Sequence, residues 1–383
     1  LLRDPLDEIK ISILKIIKHK PDHIFLEQVI HLLSKPSTYK YAKNALIQFK
    51  SYTVPEKMEY LLNQSSSSIE LKVGILNAID HFKGHETIDI IISKIDDPEL
   101  LILDAASNAL VKLSKNTRLE KSELLLINNA VFLIAKRTFQ LFHFKENLKD
   151  DSDAILILDH INSDINMLIP ILLKLGTLEH PEVPIETYIR YVKSKDPNLL
   201  PIVLELVEST FSNENRKVTL PLIDFEIDTI SEGQKLFPDM INTIDKMLTF
   251  WVKNSHYWKT GIAIHFLLKK ENTSILKNIN WSDIPHNVFK DRLFNQFEQD
   301  YLYRNFLNNK LSKQEYPIMY SILEKTIILK SVDLFNLIPG DVLNKIAQIA
   351  EEIEYEKGSK IFYEGENGDS MFIIISGKID VTK

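Results

Sequence analysis

The chain has 383 residues, 44% of them hydrophobic, and its 46 basic and 53 acidic residues give a formal net charge of −7. This composition allows a large core, in two or three domains or in one long solenoid, and the interleaved charges argue against a nucleic-acid-binding surface. The chain has no cysteine, which excludes disulfides, thiolate metal sites and a cysteine nucleophile and fits a reducing compartment.

The N-terminal third repeats a helical pattern. Three Asn-Ala pairs, Asn44-Ala45, Asn77-Ala78 and Asn108-Ala109, recur with the alanines 33 and then 31 residues apart. Each pair follows another apolar helical stretch, and prolines or serines separate the units. A period near 32 with this layout is typical of an α-solenoid, and we expect the small alanines at the contacts between helices.

The third unit reads IDIIISKIDDPELLILDAASNALVKL and is similar to the HEAT repeat, which has an Asp-Pro turn before its second helix. Asp97-Pro98 occupies that turn, whereas Leu103 stands where such repeats often carry arginine. Residues 1–120 are therefore predicted to form HEAT-like helix hairpins.

Residues 121–317 keep a helical pattern without a strict period. The stretch from Ser212 to Asn215 is polar and predicts a loop, and Leu236 to Leu268 predicts a helix hairpin. Phe289 to Leu307 predicts a further helix, and Ser312 and Glu315 have the spacing of a capping box before Pro317. A linking helix is predicted over residues 318–330.

Residues 331–383 change character, because half of the chain's ten glycines fall there. Glycine reaches positive φ without steric cost, so these residues predict tight turns between short strands. Strands are expected at Phe372 to Ile375 and at Ile379 to Val381, joined by a turn at Gly377, with Ile379 and Val381 facing the interior. The glycines concerned are Gly340, Gly358, Gly365, Gly368 and Gly377.

This segment resembles the start of a cyclic-nucleotide-binding domain. The matching features include Leu334-Phe335, Pro339, the run Glu364 to Met371, the apolar strand from Phe372 and Ser376-Gly377. The resemblance implies the first half of a β-roll. In that family a later glycine, glutamate and arginine cassette holds the ligand's phosphate and ribose, and it would lie beyond Lys383. The chain is thus expected to be part of a longer protein that binds cyclic AMP or cyclic GMP, with no cofactor-binding residue in this segment.

The stretch YSILEKTIILKSVDLF, from Tyr320 to Phe335, also looks like the sequence before this domain in bacterial proteins that join it to HEAT-like repeats. Some of those proteins carry an upstream membrane domain similar to the ATP:ADP antiporters. This resemblance implies the cytosolic part of a transporter-like protein. No apolar run here approaches 18 residues, so no membrane span is predicted within the segment, and a cytoplasmic location is expected.

Few residues offer chemistry, and no phosphate-binding loop or nucleophile elbow occurs. His81 and His85 have the spacing of two metal ligands on a helix, but no third ligand accompanies them, so exposed histidines at a repeat turn are the better interpretation. Gly365 and Gly368 are better explained as turn glycines than as a phosphate cradle. No catalytic or metal-binding residue is predicted, and the segment is not expected to be an enzyme.

Two further sets have structural interpretations. The run Glu351, Glu352, Glu354 and Glu356 alternates in its last three members with Ile353 and Tyr355, which predicts a first strand with the carboxylates on its solvent side. The tryptophans at helical spacing predict core packing rather than a binding surface. These are Trp251, Trp258 and Trp281.

The sequence therefore predicts a mainly α protein, an α-solenoid of HEAT-like hairpins followed by a partial β-roll. Its expected function is regulatory binding, with a cyclic-nucleotide-sensing roll coupled to a solenoid that docks a protein partner. The alternative is an interaction scaffold whose degenerate roll no longer binds nucleotide. A third hypothesis, an enzyme whose chemistry lies outside this segment, has no support in these residues.

Overall fold

The computed structural model describes residues 2–49, 53–241, 243–254, 257–270, 275, 320, 322–366, 368 and 370–381. The chain divides into two compact units, Leu1–Asn295 and Gln296–Lys383. Most described residues are helical, so the mainly α class is confirmed.

The first unit contains fifteen helices among its described residues. Helices α1 to α7 cover Asp7–His19, Leu26–His31, Pro36–Leu46, Thr53–Asn63, Ile69–Ile79, His85–Ile92 and Leu100–Ser114. Helices α8 to α15 cover Lys121–Leu148, Ile155–Gly176, Ile185–Ser194, Leu200–Thr210, Asn213–Ile223, Thr229–Leu236, Ile244–Asn254 and Tyr257–Lys269.

Neighbouring helices stack in two layers, as expected for an α-solenoid. Helix α4 packs on α5, and α6 packs on α7; α5 also packs on α7, and α7 on α9. The repeated alanines Ala45, Ala78 and Ala109 are all buried, as the repeat predicted. Each layer therefore buries one apolar face of its helices against the next pair.

The boundaries of these helices follow from local chemistry. Pro36 occupies the first turn of α3, where the missing N–H is not needed. The Ser68 hydroxyl accepts a hydrogen bond from the backbone N–H of Leu71 and so caps α5. The loop predicted at 212–215 is wrong, because Ser212 caps α12 in the same way and this helix begins at Asn213. Its polar residues belong to a first helical turn.

The longest helices, α8 and α9, pack along each other. By length and composition, α8 and residues 152–176 could each cross a membrane. About half of each apolar stretch, 44% and 56%, is already buried within the protein. The core helices of a soluble protein meet the same criterion, so these two give only weak evidence for a span.

The predicted hairpin near residues 236–268 is confirmed by α14 and α15, which pack together. Trp251 and Trp258 are each 5% exposed and belong to the core, as predicted. Trp281, the helix predicted from Phe289 to Leu307, the Ser312–Glu315 capping box and Pro317 lie outside the described residues.

The second unit contains two described helices, α16 (Ile322–Ser331) and α17 (Gly340–Ala347). No strand is assigned in the parts of this unit that the structure describes, so the strands at Phe372 to Ile375 and Ile379 to Val381 are not seen. The turn geometry is present nonetheless: Gly358, Gly365 and Gly377 take φ of 90°, 92° and 97°. Gly377 adopts the positive φ that its predicted turn requires.

Candidate functional site

The candidate site is the segment from residue 320 to residue 381, which is organised by one small apolar core. Helices α16 and α17 pack together through Ile322, Leu329, Leu343 and Ala347, all buried. Four partly buried residues surround this cluster: Phe335, Ile338, Ile346 and Ile373. Ile373 belongs to the stretch predicted as a strand, so this stretch is attached to the helix pair through its side chain.

Polar contacts between α16 and the chain on either side of α17 stabilise this core. The Lys325 ammonium donates to the carbonyl of Ala350 at 2.9 Å and lies 3.1 Å from the Glu352 carboxylate. The Lys330 ammonium donates to the carbonyl of Ile338 at 2.7 Å. Both lysines of α16 therefore hold the backbone on either side of α17 in place.

A buried polar pair joins the two helices directly. The Asn344 amide donates to the Thr326 hydroxyl at 3.4 Å, and that hydroxyl donates in turn to the carbonyl of Ile322 at 2.7 Å. Both side chains are almost fully buried. Because a buried polar group without a partner is costly, this pair fixes the register of α16 on α17.

A tight turn follows at Tyr363 to Glu366. The backbone N–H of Tyr363 donates to the Glu366 carboxylate at 2.9 Å, and the N–H of Glu366 donates to the Tyr363 carbonyl at 3.2 Å. Gly365 supplies the left-handed backbone of this turn, whereas Gly368 does not take such a φ. The rings of Phe362 and Phe372 stack with centroids 6.4 Å apart, so the two apolar stretches approach each other.

Most apolar side chains after α17 remain exposed. Ile379 and Val381 are 44% and 92% exposed, so the prediction that they face an interior is wrong for this segment. Ile353 and Tyr355 are also exposed, and the expected alternation along a first strand is not seen. A strand that lacks partner strands gains too little from pairing to bury one face.

The charge of this segment limits what it binds by itself. Residues 320–383 contain no arginine and no histidine, and acidic residues outnumber lysines. Two of those lysines, Lys325 and Lys330, already hold backbone carbonyls. A cyclic phosphate is an anion, so the net negative charge of residues 320–383 opposes its binding.

Comparison with known proteins adds to this picture. The chain is 42% identical over 59 residues to the cGMP-dependent protein kinase isozyme 2 forms cD5/T2 of Drosophila melanogaster, which covers 15% of this chain and 6% of the kinase. It is 44% identical over 55 residues to cGMP-dependent protein kinase 2 of Homo sapiens, covering 14% of this chain and 7% of the kinase. This short similarity is consistent with a cyclic-nucleotide-binding element in the chain.

The similarity spans only a small part of those kinases. No protein-family model matches the chain, and no solved structure matches it.

The other residues considered from the sequence have structural partners. His81 lies 2.8 Å from the Asp80 carboxylate, and the Nδ1 atom of His85 lies 2.8 Å from the Glu123 carboxylate. Both histidines are exposed, as predicted, and each pairs with a different acid. Within the described residues no group of three or more potential ligands is arranged to hold a metal ion.

The acidic run at residues 351–356 is exposed, as expected of solvated carboxylates. One member is engaged: Glu352 pairs with Lys325 and accepts a hydrogen bond from the backbone N–H of Tyr320 at 3.0 Å. The run therefore helps to attach the segment to α16.

A charged cluster around the buried carboxylate of Asp164 in the first unit was not predicted from the sequence. Asp164 of α9 lies 2.9 Å from Lys259 of α15, 3.8 Å from Arg137 of α8 and 3.5 Å from His160. Burial lowers the pKa of His160 to about 4, despite the opposing effect of Asp164. A carboxylate inside the apolar run ILILDHINSDINMLIPILL was the available signal.

Proposed function

We propose that this chain is a regulatory binding module that couples a cyclic-nucleotide-binding element to a HEAT-like solenoid. In this proposal, residues 331–383 form the first half of a cyclic-nucleotide-binding roll. The module binds rather than catalyses.

The identity of 42–44% over 55–59 residues carries the proposal. The length of that stretch is close to the length of the glycine-rich segment. The positive φ at Gly358, Gly365 and Gly377 supports it, because these are the turns that the roll requires. The exposed apolar side chains after α17 also fit a sheet that is completed by further strands.

Helix α16 is the proposed coupling element. Its two lysines hold the backbone on both sides of α17, so a shift of α17 would pull on α16. A ligand transmits such a shift only if it favours one arrangement over the other. The solenoid then presents the response to a protein partner, in the cytoplasm, as the cytosolic part of a larger transporter-like protein.

The test is nucleotide binding by the natural full-length protein, measured by calorimetry with cyclic GMP and cyclic AMP. We expect binding, and we expect Gly377→Val to weaken it, because a β-branched residue resists positive φ. Gly84→Val is the matched control: Gly84 also has a positive φ and open space around it, but lies in the solenoid. The 383-residue chain alone should bind neither nucleotide with micromolar affinity.

If the full-length protein binds neither nucleotide, the proposal is overturned. Equal loss of affinity in Gly377→Val and Gly84→Val would also contradict it, since the roll would then not be the binding element. If the chain belongs to a transporter-like protein, cell fractionation should recover the full-length protein with the membranes.

The alternative is a scaffold whose roll has lost nucleotide binding. The excess of acidic residues over lysines in residues 320–383 favours it, because a negatively charged surface repels an anionic nucleotide. Calorimetry on the full-length protein separates the two, because a scaffold would show no heat of nucleotide binding.

A further inference from the structure

A groove of about 580 Å³ lies on the solenoid where α3, α5 and α7 meet. This volume is in the range of ligand-binding clefts. Its apolar wall includes Leu33, Ile69, Val73 and Leu101, and Leu101 is 52% exposed. Leu33 is buried, but Ile69 and Val73 are half-buried, so three accessible apolar side chains face the groove and can contact an apolar ligand.

The length of the groove suits a short extended peptide. Leu101 and Lys112 both line it and lie eleven residues apart on α7. At a rise of about 1.5 Å per residue they are separated by about 16 Å along the helix axis. An extended peptide covers that distance with about five residues.

The two ends of the groove differ in charge. Glu70 lines the end near the start of α5, while Lys43 and Lys112 line the other end. The Asp80 carboxylate lies there 3.4 Å from the Lys43 ammonium and 3.6 Å from the Lys112 ammonium, and 2.8 Å from the His81 ring. One acid cannot neutralise both lysines, so this end keeps a net positive charge.

The two lysine side chains at the positive end differ in burial. The Lys43 ammonium donates to the carbonyl of Asn77 at 3.1 Å and is largely buried, so it is fixed in place. The Lys112 side chain is 52% exposed and can turn toward a bound anion. Burial, with the nearby Asp80 charge, raises the pKa of Tyr39 to about 12, so its hydroxyl remains a hydrogen-bond donor.

We infer that this groove binds an extended segment of a partner protein, about five residues long, with apolar side chains and a carboxylate at the end that meets Lys112. The apolar wall would take the side chains, and the unneutralised positive charge beside Asp80 would take the carboxylate. This inference rests on the docking role proposed for the solenoid, and not on nucleotide binding.

The test uses two pools of fluorescein-labelled hexapeptides and the 383-residue chain, with binding measured by fluorescence anisotropy. In one pool, four positions drawn from Leu, Ile, Val and Phe are followed by two acidic residues; in the other, two lysines replace the acids. The acidic pool should bind and the lysine pool should not. Raising the salt concentration should weaken the binding, because the ion pair is near the surface.

Lys112→Glu should weaken binding of the acidic pool about fivefold or more, as expected for losing roughly 1 kcal/mol in an exposed ion pair. Its matched control is Lys115→Glu, an exposed lysine beyond the groove at the same end of α7, which should leave affinity unchanged. Leu101→Glu should also weaken binding, and Leu125→Glu, which changes an exposed leucine of α8, should not.

The inference is overturned if neither pool binds, if both pools bind equally, or if Lys112→Glu and Lys115→Glu behave alike. Thermal unfolding of each variant shows whether it is folded, and the Leu101→Glu result decides the matter if Lys112→Glu unfolds. Because no nucleotide is present, failure here leaves the nucleotide-binding result untouched.

Discussion

The two units of this chain solve the burial of apolar side chains differently. In the first unit the helices pack on one another, as α5 does on α7 and α8 on α9, and the core includes large side chains such as Phe139 and Phe237, buried almost completely. In the second unit four residues form the buried cluster, while Phe362, Ile374 and Val381 are among many apolar side chains left exposed. A helix pair in a stack buries its apolar face against the adjacent pairs alone, whereas a sheet buries its apolar face only when all of its strands are present.

The largest effect should come from the charged cluster of the first unit. Asp164→Asn removes the buried carboxylate that the partly buried side chains of Lys259 and Arg137 share. We expect the free energy of unfolding to fall by about 3–5 kcal/mol. Urea titration followed by tryptophan fluorescence measures it, since all three tryptophans precede residue 296.

Asp239→Asn serves as the control, because Asp239 is 77% exposed in its ion pair with Lys136. Its effect should stay below about 1 kcal/mol. Similar losses in both variants would mean that the Asp164 cluster is solvated and that the core of the first unit is less closed than described.

A second comparison lies within the C-terminal unit. Leu343 is fully buried between α16 and α17, so Leu343→Ala should destabilise this unit by about 2–5 kcal/mol. Ile374→Ala removes a side chain that is 55% exposed and should cost about 0.5 kcal/mol or less. Hydrogen exchange of peptides from α16 and α17 measures both. Equal protection in the two variants would show that the unit has no core of its own.

The sequence predicted the helical unit better than the C-terminal unit, for physical reasons. Helix hairpins depend on local period and turn residues, so Pro36 and the repeated alanines were sufficient to place them. The loop predicted at Ser212 failed because the same polar residues that favour loops also favour the first turn of a helix. The Asp164–Lys259 pair joins residues 95 apart, and no local pattern contains that information.

In the C-terminal unit, local turn chemistry was predictable and long-range pairing was not. Gly377 has the expected positive φ, yet Ile379 faces solvent because its burial requires strands that do not pair in this segment. The groove was missed for a similar reason, since it combines residues from three helices.

Close packing in the solenoid predicts that a glycine-to-alanine substitution lowers stability at one position and raises it at another. A Cβ atom on Gly74 would lie 2.3 Å from the backbone oxygen of Leu33, so Gly74→Ala should lower stability by about 1–3 kcal/mol. Gly261 is also helical, but a Cβ there meets nothing within 4 Å. Gly261→Ala should therefore raise stability by up to about 1 kcal/mol through helix propensity. Urea titration of both variants measures the difference, and two losses of equal size would contradict the contact at Gly74.

The stability of the first unit should depend on pH through the protonation of His160. Burial holds its pKa at about 4 in the folded protein, below the usual value of 6.5. Between these values the unfolded state binds the extra proton, so stability should fall as the pH drops from about 6.5 to 4. The slope from this one group is at most about 1.4 kcal/mol per pH unit. Urea titrations at several pH values should show a shallower slope for His160→Gln, and an unchanged slope would show that His160 titrates normally.

The smallest effect should come from the turn that leads out of the exposed apolar stretch. Gly377 has φ of 97° with open space around it, so Gly377→Ala meets no clash and costs only the strain of a left-handed backbone, about 1 kcal/mol. Because the C-terminal unit has its own core, this loss should appear in hydrogen exchange around residues 371–381 and leave tryptophan-detected unfolding of the first unit unchanged. Gly368→Ala is the control, since Gly368 has no positive φ and equally open space. If the two alanine variants exchanged at the same rate, the turn at Gly377 would not be a fixed element of the segment, and the strongest local evidence for a roll would be lost.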